Sequence, residues 1–354
     1  MPETQKHTGQ INTRDSEIFP RGRLRTFMLW FCIICTFILL LGHVAPFRFF
    51  LPHAFSPALG MYSFLTSRAG ADMVFVGSSR TRYGIRPAYF RKKLSEAGYD
   101  DVRVFNLGMN STEITSHYFI IRDYLKGARH PDTLFLEVGP RSFNVNSLRK
   151  LDAWKYFANL SDIPDLLPRC RYMEDIQAVF SIFYRGFVVA ADSTRVEAVK
   201  RFVAGYRATH DGEEALIAYK VISRGKSWDR VVKGMTRTLH SKVFNDYQIS
   251  DEISESLSSI IETCRQRRIK LVLLRFPVSD TYMEIVGKDI ESTFNSYLDS
   301  ILANHDVPYI DISKSGWANE RRYFWDPQHP TLKGARRITH EFMKRYVTCC
   351  MKDK

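Results

Sequence analysis

A serine, an aspartate and a histidine at opposite ends of this chain have the types and spacing of an acyl-transfer site. Ser79 stands in Gly77-Ser78-Ser79-Arg80, directly after the apolar run Met73–Val76. Asp326 and His329 stand in Asp326-Pro327-Gln328-His329-Pro330, directly before Thr331-Leu332-Lys333-Gly334-Ala335, where a last helix is expected to open. A serine hydroxyl is a weak nucleophile at neutral pH and needs a base within hydrogen-bond reach. His329 supplies one if it folds over Ser79, with Asp326 holding its tautomer and stabilising the imidazolium. The oxyanion of a tetrahedral intermediate needs donors, commonly backbone N–H groups at tight turns. Asn106-Leu107-Gly108 offers such a turn through Gly108, and the Ser79 amide at a helix start offers another.

These segments meet only if the chain between them alternates strand and helix. Five short apolar runs read as strands: Met73–Val76, Val102–Phe105, Thr133–Val138, Lys270–Leu274 and Pro308–Ile312. Segments of helical period separate or follow them: Pro87–Ala97, Glu113–Leu125, Asp251–Arg267, Met283–Asn304 and Leu332–Val347. This pattern predicts an α/β three-layer sandwich on a five-stranded parallel sheet, with the site at the carboxyl ends of the strands. The stretch from about 145 to 250 is too long for a simple crossover. It is rich in aromatics (Trp154, Tyr156, Phe157, Tyr172, Phe180, Phe183, Tyr184) and reads as a helical insertion, expected over the active-site edge as a lid or platform.

The order strand–GSSR, strand–NLG and D-x-x-H-P-x-x-x-G-A resembles the SGNH (GDSL-like) hydrolase superfamily over roughly residues 72–145 and 250–348. The resemblance implies a nucleophile at Ser79, an oxyanion glycine at Gly108, and the final Asp-x-x-His at Asp326 and His329. The family also carries an asparagine donor in a Gly-x-Asn-Asp block after the third strand. Here the corresponding run is Glu137-Val138-Gly139-Pro140-Arg141-Ser142-Phe143-Asn144, with Arg141 two after the glycine. Loss of one such donor costs about 3–4 kcal/mol of transition-state stabilisation, so Arg141, Ser142 or Asn144 substitutes or the reaction differs. The family's block-one aspartate is replaced by Ser78. These departures, with the N-terminal anchor discussed next, are similar to the branch containing the D-alanyl transfer protein of teichoic acid loading and the alginate O-acetylation proteins. That likeness implies an acylated donor, a cell-surface glycan or polymer as acceptor, and a membrane-bound O-acyltransferase as partner. An esterase with the same residues, and a non-catalytic partner with a decayed site, are the alternatives.

The chain has 354 residues, 45% hydrophobic, with a net charge of +13. Thr26 to Ala45 is uncharged apart from His43 and, at about 1.5 Å per residue, spans about 30 Å, one hydrocarbon core. Arg21, Arg23 and Arg25 precede it and only Arg48 follows closely. The bias predicts a single-pass anchor in a bacterial inner membrane, with a cytoplasmic N-terminus and an extracytoplasmic domain. The organisation expected is 1–25 cytoplasmic, 26–45 transmembrane, 46–70 stalk and 71–348 the SGNH-like domain. A cleaved signal peptide is the rival, disfavoured by the long leading segment and the poor cleavage site at His43-Val44-Ala45.

Residues 220–242 hold seven Lys or Arg (Lys220, Arg224, Lys226, Arg230, Lys233, Arg237, Lys242) against Asp229. This is a solvated face, or a surface for anionic headgroups or an acidic polymer; an extracytoplasmic domain has little use for nucleic acid. Arg80, Arg82 and Arg86 are read either as a positive rim for an anionic acceptor or as solvent-facing side chains, with Glu137 able to anchor one of them. His117, His240 and His340 read as ordinary core or surface histidines. Cysteine and histidine spacing gives no zinc motif, and Glu113 with His117 lacks a third ligand, so neither metal nor cofactor is expected. Exported chains tolerate a Cys170–Cys264 disulfide, which sequence does not establish.

Overall fold

The computed structural model describes residues 30, 33, 71–110, 112–126, 130–144, 158, 160–170, 175–179, 182 and 227–350. The chain divides into two compact units, Met1–His53 and Ala54–Lys354, and the fold below belongs to the second. Of the expected anchor, only Trp30 and Ile33 are described, both helical and exposed. The segment 1–25, the stalk 46–70 and the insertion's aromatics named above lie outside the described residues. Among those described, no helix is long and apolar enough to cross a membrane.

Five strands, β1 (Met73–Gly77), β2 (Val104–Gly108), β3 (Thr133–Glu137), β4 (Lys270–Arg275) and β5 (Tyr309–Asp311), form one parallel sheet in the order β2-β1-β3-β4-β5. This is the doubly wound order whose switch point falls between β1 and β3. The strands read as near-continuous apolar runs because both faces are covered. Val74, Val76, Leu134, Leu136, Leu271 and Leu273 point to one side, where α3 (Ile114–Tyr124), α6 (Asp251–Gln266) and α8 (Lys288–Asn304) pack. Met73, Phe75, Phe135, Val272 and Leu274 point to the other, against α2 (Pro87–Glu96) and α9 (Leu332–Cys350).

On that second face Phe342 of α9 is fully buried. Its ring meets Phe75 and Phe135 edge-on at 5.5 and 5.1 Å and stacks on Phe90 at 5.8 Å. The last helix is thereby locked onto β1 and β3, and the segment just before it, carrying Asp326 and His329, is brought to the edge where β1 ends.

The expected strands and helices are present with three adjustments. β2 runs to Gly108, beyond the expected Phe105, because Asn106 satisfies its side chain on neighbouring backbone and so tolerates a strand position. The expected helix Met283–Asn304 is two, α7 (Asp280–Val286) and α8, broken at Gly287 with φ 76°. The Asp326–His329 segment is a small antiparallel pair, β6 (Phe324–Asp326) and β7 (His329–Pro330).

The insertion divides its work. Ala158, Ile163, Leu166, Ala178, Val179 and Ile182 join the core on the α3/α6 side, with α4 (Ile163–Leu166) among them, whereas α5 (Trp228–Lys242) contacts β6. Of the stretch expected over that edge, α5 is the described part that lies beside Gln328. The Cys170–Cys264 disulfide is absent: both are free thiols, Cys264 buried in α6 and Cys170 donating to the Leu166 carbonyl at 3.5 Å. The adjacent Cys349 and Cys350 are instead paired.

Truncating Phe342 to alanine removes the aromatic contacts that seat α9. Unfolding by denaturant should show a loss of about 3–5 kcal/mol.

Candidate active site

Residue types at the end of β1 dictate a tight turn into a helix. Gly77 ends the strand, Ser78 caps α1 (Ser79–Gly84), and Ser79 is the first helical residue. The Ser79 Oγ lies 2.7 Å from His329 Nε2, and His329 Nδ1 lies 2.7 Å from Asp326 Oδ2. The second Asp326 oxygen accepts the N–H groups of Gln328 and His329, each at 2.9 Å. The carboxylate therefore fixes both the ring and the loop that carries it. With Nδ1–H donating to Asp326, Nε2 is left to accept the Ser79 hydroxyl proton. All three side chains are buried. The structure thus brings together the predicted Ser79, Asp326 and His329.

Four further groups hold the histidine. The Pro327 carbonyl accepts from Ser279 twice, from its N–H at 2.9 Å and its hydroxyl at 2.8 Å. Tyr83 meets the His329 ring edge-on, centroids 5.8 Å apart. Asn110 donates to the Tyr83 hydroxyl at 3.2 Å. At Gly334 a Cβ would lie 2.1 Å from the Tyr323 carbonyl oxygen, so only glycine lets α9 start this close to the loop.

Beneath the nucleophile lies Glu137, the last residue of β3 and 1% exposed. Its carboxylate accepts Ser78 N–H and Oγ–H at 2.7 Å each, Arg80 Nε–H at 2.8 Å, Thr81 N–H at 3.2 Å and Thr81 Oγ1–H at 2.6 Å. Burial by itself would push this carboxyl up. The Arg80 charge and the hydrogen bonds from Thr81 and Ser78 outweigh it and hold the group down at about 2. Gly77 makes room: a Cβ there would lie 2.5 Å from Glu137 Oε2 and 2.0 Å from Thr81 Oγ1. The N–H groups of Ser78 and Thr81 are thus committed to Glu137, and that of Arg80 to the Ser78 hydroxyl at 3.2 Å. The Ser79 N–H is not drawn into this network.

The other expected oxyanion and binding residues separate. Gly108 sits in register with Gly77, but its N–H donates to Asn106 Oδ1 at 2.8 Å. Its lack of a side chain serves close packing, since a Cβ would lie 2.3 Å from the Arg82 backbone nitrogen. Asn106 in turn donates to the Thr81 and Ile85 carbonyls, both at 3.0 Å, closing the far end of α1. Arg141 donates to Gln328 Oε1 at 2.6 Å, in the loop that carries His329. Asn144 is a structural staple: fully buried, it donates to the Val243 carbonyl and accepts from Gln248 N–H at 3.2 Å. A side chain committed to both partners is not available to an oxyanion, which corrects that expectation. Arg80 is likewise no rim residue. It is buried on Glu137, with its guanidinium against Gly139. Arg82 is half-buried over the Tyr83 ring.

His117 lies wholly inside, its Nε2 3.0 Å from the Thr112 hydroxyl. Burial lowers it to about 4, Arg80 adding to and Glu137 opposing the shift. It is a neutral core histidine, whereas His240 and His340 are exposed. Among the described residues no group of three His, Cys, Asp or Glu side chains could hold a metal ion.

Sequence reasoning missed Ser279 and Tyr83, which give no local motif, and gave no role to Gln328 inside the Asp326–His329 segment. Glu137 carried a visible signal, as the one acid in the apolar run Thr133–Val138.

No protein-family profile matches the chain, and no curated protein sequence matches it. Solved structures with a similar chain path include TesA (12% identity, 78% of this chain and 98% of that one, TM-score 0.41). Others are the psychrotrophic esterase EstA from Pseudoalteromonas sp. (10%, 78% and 99%, TM-score 0.39) and a lipase/acylhydrolase from Enterococcus faecalis (10%, 78% and 95%, TM-score 0.36).

Two outcomes are expected of these buried groups. Glu137→Gln leaves Arg80 buried without a counter-charge, and should cost about 3–5 kcal/mol in denaturant unfolding and abolish serine reactivity. His117 is depressed from its ordinary 6.5 to about 4, so its contribution to stability is intact above pH 6.5 and lost as pH falls towards 4. Glu137, at about 2 against 4.5, adds a second loss from pH 4.5 downwards. A pH series of unfolding measurements should show the upper of these losses in the wild type and not in His117→Gln.

Proposed function

We propose that this chain is a serine-dependent acyl-transfer enzyme of the SGNH type, moving an acyl group through Ser79 onto a hydroxyl of a cell-surface glycan or envelope polymer. The observation that carries the reading is the unbroken relay from Ser79 Oγ to His329 Nε2 and from Nδ1 to Asp326, at 2.7 Å per link. It lies beside the β1/β3 switch point, where open parallel sheets bind their ligands.

The chemistry follows from the donors and acceptors. Ser79 Oγ attacks the acyl carbonyl as His329 Nε2 takes its proton, and Asp326 stabilises the imidazolium. The developing oxyanion is met by the Ser79 N–H at the start of α1. Arg141 is the second donor we assign. It stands beside Gln328, the residue before His329, and occupies the block where the superfamily has its asparagine. Collapse expels the leaving alcohol, which takes the proton from His329, and leaves an ester on Ser79. In the second half the acceptor hydroxyl gives its proton to His329 and attacks that ester, releasing the acylated glycan and restoring the Ser79 hydroxyl.

Residues 26–45 anchor the chain in the inner membrane of a bacterial envelope, with 71–348 on the extracytoplasmic side. A membrane-bound O-acyltransferase is the partner that would deliver acyl groups to it. The uncharged run after Arg21, Arg23 and Arg25 supports this placement.

Fluorophosphonate labelling of the full-length chain in detergent tests the nucleophile. Wild type should label on Ser79, while Ser79→Ala should not and His329→Ala should label at least 100-fold more slowly. Labelling that persists in Ser79→Ala, or a folded wild type that stays unlabelled, would sink the assignment.

A further inference from the structure

Arg141 and Gln328 form one wall of a cleft of about 360 Å³, and α5 forms the other. Gln328 immediately precedes His329, and its N–H is bonded to Asp326, so the cleft opens beside the relay. The α5 wall is apolar, with Val231, Met235 and Leu239 among its members. Among the described residues the charges lining the cleft are both positive, Arg141 and Arg230. An apolar trough with cationic groups at its rim is complementary to an amphiphile carrying a negative charge.

Gly234 points the same way independently. It sits in the interior of α5, where glycine is the poorest helix former after proline. Three glycines at the site have a reason in the fold, since a Cβ at Gly77, Gly108 or Gly334 would collide with backbone or buried side chains. At Gly234 a Cβ would meet nothing within 4 Å, and its φ is not left-handed. Neither packing nor backbone geometry calls for glycine there. Its missing side chain leaves this stretch of the α5 wall open to the cleft.

We propose that this cleft binds an anionic amphiphile, with an alkyl chain lying along α5 over Gly234 and a phosphate or carboxylate held by Arg141 and Arg230. This rests on the reading of Ser79 as the nucleophile and deepens it by naming the class of acyl donor. The chemistry at Ser79 is unchanged.

The test uses the full-length Ser79→Ala chain in lipid nanodiscs, so that binding is read without reaction. The probe is decyl phosphate with a diazirine at the end of its chain. Photolysis should place the label on the peptide spanning 231–243. Excess decyl phosphate or decanoate should displace it, and decanol should not. Adding Arg230→Gln should raise the half-labelling concentration about tenfold, and adding Gly234→Phe, which fills that stretch, should remove most of the label. Far-ultraviolet circular dichroism of each variant checks that it is folded. Equal displacement by decanol, labelling confined to other segments, or labelling undiminished in both variants would overturn the proposal. Fluorophosphonate reactivity of the unmutated chain is read separately, so the cleft can fail while the nucleophile stands, and the reverse.

Discussion

The buried carboxylate of Glu137 is the constraint on which the site depends. A charge taken out of water is tolerated only when its lone pairs are satisfied and an opposite charge is near. Here the groups that satisfy it all belong to three residues of one turn, Ser78, Arg80 and Thr81. β3 therefore grips the turn that follows β1 from below. The geometry of Ser79 is set by a residue that never touches a substrate. The same interaction explains why Gly77 lacks a side chain and why the arginine beside the nucleophile is inside rather than at the rim.

The sheet register makes this grip possible. β1 pairs with β2 and β3 so that Gly77 stands beside Gly108 on one side and Val76 beside Leu136 on the other. α1 leaves the end of β1 directly and packs against β2, β7 and α9. Asn106 closes the far end of that short helix as Glu137 closes the near end. A helix of six residues gains little from its own hydrogen bonds, and these two side chains supply what it lacks. The histidine is held with equal redundancy, by Asp326 through the ring and backbone and by Ser279 through the Pro327 carbonyl.

Much of this was legible in the sequence, because the fold repeats one rule. Apolar runs of strand length alternate with helical periods, and that alone gives the layers and the edge on which Ser79, Asp326 and His329 meet. What was not legible depended on tertiary partners. Asn144 and Arg141 are indistinguishable as donors until Val243 and Gln248 appear beside the first and Gln328 beside the second. Arg80 and Arg82 are two residues apart in a basic cluster, yet one is buried on a carboxylate and the other lies over a tyrosine ring. Ser279 looks like any helix cap, and it is one for α7. Its second task, at Pro327, depends on a residue 48 positions away.

The serine and its base are separated by 250 residues of sequence. A chain made from its N-terminus therefore presents the serine long before the histidine exists. Until the final helix docks its aromatic face on the sheet, Ser79 is an ordinary alcohol with no base beside it. Synthesis order thus works as a safety catch. The relay is completed last, and a product cut short anywhere before residue 329 carries the serine without its partner histidine.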